Sequence, residues 1–157
     1  MKHTALAFAI AALLTGCNTS SNDSQAPSAA EQAYEYLVQL SSSAEGIGAR
    51  PTGTEAETRA AAWIQDHLTG WGYDVQKQPF TYTKSGADKA SQNLVAELKG
   101  QSDKVILIGA HYDSTGDKHG SEGATDNGAG VAALLAVAEA LKGQTLPYTV
   151  RFAFFGA

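Results

Sequence analysis

One stretch limits the possible folds more than any other. Val105-Ile106-Leu107-Ile108-Gly109-Ala110 is a β-branched and aliphatic run that ends in His111-Tyr112-Asp113. A loop of small and polar residues follows and closes on Asp126-Asn127-Gly128. From Gly128 to Lys142 the residues are rich in alanine and leucine, a helical pattern stopped by Gly143. Thr149 to Phe155 then reads as another strand. Strand, loop, helix, strand at this spacing is a βαβ unit, so the expected fold is α/β with a mostly parallel sheet covered by helices. The apolar run of residues 105–110 reads as a strand buried on both faces.

The rest of the chain supplies further elements. Glu31 to Leu40 has the apolar spacing of a short amphipathic helix, with Ser41-Ser42-Ser43 ending it. Residues 46–53 hold three glycines and a proline and read as a loop. Thr54, followed three residues later by Glu57, has the form of a capping box opening a second helix that Gly70 stops. Tyr73 to Thr83 is β-like, and Pro79 within it favours an edge or a bulge. Asn93 to Leu98 reads as a strand as well.

The N-terminal segment has a different character. Lys2 precedes an apolar run from Thr4 to Leu14, which is shorter than the roughly 20 residues a membrane helix needs. It suits the apolar region of a secretory signal. The run closes on Leu14-Thr15-Gly16-Cys17, which resembles the lipobox of bacterial lipoproteins. That resemblance implies a leader over residues 1–16, lipidation of Cys17, and a bacterial envelope location anchored to a membrane by acyl chains. Residues 17–30 are small and polar, so they read as the anchor and a flexible tether. Cys17 is the single cysteine, which excludes an intrachain disulfide. The formal charge of −5 and the lack of a Lys/Arg cluster argue against a nucleic-acid partner.

Chemistry gathers at His111, Asp113 and Asp126. Alone, a histidine after a strand is usually structural, and an aspartate before a helix is usually an N-cap. Together they make a different pattern. A metal-bound imidazole commonly donates its second N–H to a carboxylate, and Asp113 lies two residues from His111. In α/β sheets such sites collect at the carboxyl ends of strands, where His111 falls. The expectation is a metal site with His111 and Asp126 as ligands. His119 reads as a surface residue, His67 as structural, and His3 as part of the leader. Gly128-Ala129-Gly130-Val131-Ala132-Ala133 fits a dinucleotide fingerprint, but that motif needs a strand immediately before it, and here the strand has already ended at Ala110. The glycines are expected instead to let the helix start pass close to a metal centre. No nucleophile elbow, H-E-x-x-H or P-loop is present.

Three segments carry a family resemblance. Residues 109–114 (GAHYDS), 123–130 (GATDNGAG) and 151–157 (RFAFFGA) resemble the core of the co-catalytic two-zinc aminopeptidases, the bacterial leucyl-type and aminopeptidase S and Y enzymes. Residues 48–53 (GARPTG) and 91–96 (SQNLVA) resemble upstream segments of the same family. The resemblance covers residues 31–157. It implies a three-layer α/β fold, a mostly parallel mixed sheet with helices on both faces, as in zinc exopeptidases. It implies that His111 ligates one zinc, that Asp126 bridges two, and that Asp113 is a catalytic-site residue orienting His111. It also implies a cis Asp126–Asn127 peptide and a peptide or protein substrate. The family pattern continues with two adjacent glutamates, the general base and a zinc ligand, whose place comes after Ala157. Residues 31–157 are therefore expected to be the N-terminal part of a truncated catalytic domain, which binds metal weakly and does not turn over alone. A glutaminyl-cyclase-like single-zinc enzyme and a non-catalytic envelope binding module on the same fold are the alternatives.

Overall fold

The computed structural model describes residues 26–116 and 121–157. The leader, Cys17 and most of the tether lie outside them, as does His119. The described chain runs α1 (Ala29–Ser41), α2 (Glu55–Gly70), β1 (Val75–Lys84), β2 (Ala87–Leu98), β3 (Val105–His111), α3 (Ala129–Leu141) and β4 (Thr149–Phe155). The four strands form one sheet in the order β1-β2-β4-β3.

Local signals explain most boundaries. Ser28 caps α1 with a reciprocal box. The Glu31 N–H donates to Ser28 Oγ at 3.3 Å, and the Ser28 N–H donates to Glu31 Oε2 at 2.8 Å. The helix therefore starts two residues before the apolar periodicity begins. Ser85 and Gly86 both have positive φ, 54° and 76°, between Lys84 and Ala87, which pair directly. That is the two-residue hairpin turn whose twist suits adjacent antiparallel strands. Pro79 sits on β1, an edge strand, where its missing N–H costs no ladder bond.

One core holds the helices to the sheet. Leu94, Ala96, Val150, Phe152 and Phe154 from the strands pack with Leu40, Ile64, Leu68, Val131 and Leu135 from the helices. Burying each of the larger of these side chains stabilises the fold by about 1.5–3 kcal/mol. α3 buries Val131, Ala132, Leu134, Leu135, Ala136 and Ala138, as suits a helix held between α1 and the sheet. Tyr73 packs edge-on against Phe152 at 5.7 Å and donates to the Ala138 carbonyl at 2.7 Å. It thereby links the entry to β1 with α3.

The α/β class and the mixed sheet agree with the sequence reading. Among the described residues one pairing is parallel, β3 with β4, while β1–β2 and β2–β4 are antiparallel. The three described helices share the core on one face of the sheet. On the other, Leu107 is 61% exposed and Phe155 41% exposed. The strand expected to be buried on both faces, Val105–Ala110, is instead an edge strand in which only Ala110 is buried. β4 is the inner strand that carries the buried pattern. An apolar run fixes the strand but not its rank in the sheet.

His67 is structural, as expected. It stacks within an aromatic group of Tyr36, Trp63 and Trp71, with ring centroids 4.7–5.4 Å away. Burial pushes its pKa below the ordinary 6.5, partly offset by Glu139 and Asp66. The folded state therefore takes up a proton less readily than the unfolded chain. The contribution of His67 is complete above pH about 6.5 and is lost as pH falls below it. Melting temperatures of the native protein and His67→Gln, compared from pH 7.5 to 5.5, should show the native protein losing more stability on acidification. Parallel curves would exclude this role.

Candidate metal centre

β3 delivers His111 to the carboxyl end of the sheet. Its partner in the parallel register is Phe155, and the next N–H, from Tyr112, donates to the Phe155 carbonyl at 2.8 Å. Tyr112 turns inward, is 1% exposed, and donates its hydroxyl to the Gln92 carbonyl at 2.7 Å. Alternation then leaves His111 and Asp113 on the opposite side from Tyr112. Asp113 Oδ1 lies 3.0 Å from His111 Nδ1, and Thr52 Oγ1 donates to Asp113 Oδ2 at 3.1 Å.

Asp126 arrives from the other side. It lies in a wide turn, Ala124–Gly128, that breaks helical geometry at Asp126 (φ −121°, ψ 93°) and Asn127 (φ −129°, ψ 36°) before α3 begins. The Asp126–Asn127 peptide is cis, as the resemblance implies. Asp126 Oδ1 stands 2.9 Å from His111 Nε2. The three residues singled out in the sequence therefore meet, with one carboxylate at each imidazole nitrogen. Partial burial pulls the His111 pKa down, but hydrogen bonds to Asp113 and Asp126 together outweigh it, and the net shift is upward.

The two carboxylates differ in access. The Asp126 side chain is 86% exposed and that of Asp113 19%. Asp113 is thus shielded and held by Thr52, placed to fix the ring of His111. Asp126 faces open space, where a second partner can reach it. Two donors sharing one zinc, each bonded at about 2.0–2.2 Å, stand about 3–3.5 Å apart. The 2.9 Å between Nε2 and Oδ1 is close to that, so the pair fits zinc as donors of the right type converging on one point. Among the described residues no group of three or more His, Cys, Asp or Glu is arranged to hold a metal ion.

The glycines beside Asp126 have a different cause from the one expected. A Cβ on Gly128 would lie 2.3 Å from Ser41 Oγ of α1, and one on Gly130 would lie 2.3 Å from the Asn127 side chain. They admit α1 and Asn127 against the helix start.

Sequence reasoning missed the scaffold beneath the site. Arg50 is fully buried, yet none of its hydrogen bonds is to a carboxylate. Its guanidinium donates to the carbonyls of Tyr112 (2.7 Å), Leu40 (3.0 Å), Gly48 (2.5 Å), Glu122 (2.9 Å) and Gly123 (3.1 Å). Its backbone exchanges bonds with Ser114 in both directions. Glu57 is 3% exposed. It accepts from the Gly53 N–H and from Ser91 Oγ, both at 2.5 Å. Thr54 Oγ1 caps the Glu57 N–H at 3.4 Å, but the expected box does not close on Thr54, because the carboxylate reaches one residue further back. A charged residue inside a glycine-rich loop was the available signal for Arg50.

These features define the class, a zinc-exopeptidase-like α/β fold with a histidine–carboxylate centre at the strand ends. Residues 93–157 match the model of Peptidase family M28. The matched segment carries His111, Asp113 and Asp126. The chain is 34% identical over 85 residues to Aminopeptidase YwaD of Bacillus subtilis, covering 52% of this chain and 18% of that one. It is 40% identical over 77 residues to "Probable lipoprotein aminopeptidase LpqL" of Mycobacterium tuberculosis, covering 48% of this chain and 15% of the relative. It thus spans less than a fifth of either relative's length. Among solved structures, a Zn-dependent exopeptidase from Parabacteroides distasonis superposes with a TM-score of 0.69 at 26% identity, covering 80% of this chain and 46% of that one. A glutaminyl cyclase from Tannerella forsythia does so with 0.67 at 27%, with the same coverages.

The Glu57 network yields a test of the scaffold. Glu57→Ala should leave the Gly53 N–H and the Ser91 hydroxyl without their acceptor and cost about 2–4 kcal/mol in urea unfolding. A loss under about 0.5 kcal/mol would show that water replaces the carboxylate.

Proposed function

We propose that the protein is a zinc-dependent metallopeptidase that hydrolyses peptide bonds, acting as an aminopeptidase on the N-terminal residues of peptide or protein substrates. The observation that carries this reading is the contact of His111 with Asp126 on one ring nitrogen and with Asp113 on the other. The M28 match across those residues supports the reaction class. In this reading His111, through Nε2, and Asp126 would hold the zinc, with Asp126 the residue that would be shared between two ions. When bound, zinc supplies Lewis acidity, polarising the scissile carbonyl and acidifying a water. Asp113 holds the Nδ1 proton, which keeps the lone pair on Nε2, and Thr52 holds Asp113.

A second reading keeps the fold and changes the reaction to that of a glutaminyl cyclase. The 27% identical glutaminyl cyclase of Tannerella forsythia favours it.

The domain reading completes the proposal: a leader over residues 1–16, an anchor and tether over residues 17–30 with Cys17 lipidated, and a catalytic segment over residues 31–157. Resemblance to a relative named as a lipoprotein supports an envelope location. No helix among the described residues is long and apolar enough to cross a membrane.

Equilibrium dialysis against zinc tests the ligand assignment. His111→Ala should weaken zinc binding at least tenfold; unchanged zinc content would remove His111 from the ligand set. Peptides with N-terminal leucine or glutamine, offered to the complete zinc-loaded enzyme, separate the two reactions. Chelator-sensitive release of leucine supports the aminopeptidase. Ring closure of N-terminal glutamine with loss of ammonia, and no leucine release, overturns it in favour of the cyclase.

A further inference from the structure

We propose that Arg50 is a positioning residue for the metal centre: its one buried guanidinium fixes the segment carrying His111 and Asp113 relative to the turn carrying Asp126. This rests on the assignment of His111 and Asp126 as zinc ligands.

The argument is geometric. The two halves of the centre come from segments 15 residues apart in the chain. One half is the end of β3, whose place is set by the sheet. The other is a non-helical turn, with no strand to register it. Arg50 bonds to both. Nε donates to the Tyr112 carbonyl, in the peptide between the two residues whose side chains flank the site. Nη1 and Nη2 donate to the carbonyls of Glu122 and Gly123, directly before the turn. The same group ties both to α1 through the Leu40 carbonyl. A guanidinium is planar and its N–H groups are fixed in direction, so the acceptors it holds are fixed relative to one another. A lysine ammonium carries three donors on a flexible stem and cannot reproduce that set.

The loop is built to receive it. Gly123 has φ 66°, and a Cβ there would lie 2.4 Å from Ser114 Cβ and 3.1 Å from Arg50 Nη2. Gly123 also accepts the Gly128 N–H at 2.9 Å, which closes the turn around Asp126. One carbonyl thus receives both the guanidinium and the turn's closing bond. Displacing Arg50 moves the frame of Asp126 without touching its side chain. The Glu122 carboxylate adds a second tie, accepting the Ser43 N–H at 2.9 Å, so the turn is anchored at its base while Asp126 meets His111 at its exposed tip.

The test measures zinc affinity of the full chain by titration, together with the nitrogen NMR signature of the His111 ring. Arg50→Lys is the main variant, His111→Ala tests the underlying assignment, and Ile64→Ala is a core variant on α2. The expected result is at least a tenfold loss of zinc affinity in folded Arg50→Lys, with an altered His111 ring signature. Ile64→Ala should lower the melting temperature but keep affinity within twofold. If Arg50→Lys does not fold, Gly123→Ala carries the test, because its Cβ would crowd Ser114 and Arg50 Nη2 and push the turn off the guanidinium; it should weaken zinc binding at least fivefold. Native affinity in folded Arg50→Lys, or in Gly123→Ala where that variant is decisive, overturns the proposal. So does an equal affinity loss in Ile64→Ala, which would make the effect one of general stability. Unchanged affinity in His111→Ala instead overturns the ligand assignment on which the proposal stands.

Discussion

The centre of this structure depends on a buried cation whose side-chain hydrogen bonds all go to backbone carbonyls. Taking the Arg50 guanidinium out of water is costly, and burial pulls its pKa down to about 10, with Asp113 and Glu122 opposing that shift. Five backbone carbonyls offset the cost through charge-assisted hydrogen bonds. A carboxylate partner would pair with the charge locally. Carbonyl partners spread it over four separate stretches of chain: α1, residue 48, the end of β3 and the turn before α3. These stretches are thereby joined through one group.

The sheet and the loops divide the work. β4, an inner strand, supplies Phe152 and Phe154 to the core and sets the height of His111 through its parallel register with β3. The sheet fixes where the histidine ends up. The glycine-rich segment from Gly48 to Gly53 decides what surrounds it, by sending Arg50 inward, Thr52 to Asp113, and the Gly53 N–H to Glu57. Rigidity at the site therefore comes from hydrogen bonds beneath it as much as from packing behind it.

The sequence was most legible where a local rule acts alone. The Ala- and Leu-rich run gave α3 to within a residue, Pro79 marked the edge strand, and the strand from Thr149 to Phe155 was found at its true bounds. His111, Asp113 and Asp126 were legible as a trio because residue type and position agreed. What escaped was set by tertiary contact. The apolar composition of Val105–Ala110 does not encode whether another strand lies beside it. Arg50 in a loop looks like a surface charge, since its five acceptors are backbone atoms that no side-chain pattern announces. Gly128 and Gly130 were tied to the metal centre, but the neighbours that demand them are Ser41 and Asn127.

Among the described residues, the sheet face away from the helices carries uncovered apolar side chains. Leu107 and Phe155 stand exposed there, and Val105, 46% exposed, lies on the same edge strand that ends in His111. Uncovered apolar side chains on an edge strand invite strand-to-strand association between molecules, and a formal charge of −5 gives only moderate repulsion against it. Salt that screens the repulsion would favour such association through the very strand whose end presents the imidazole.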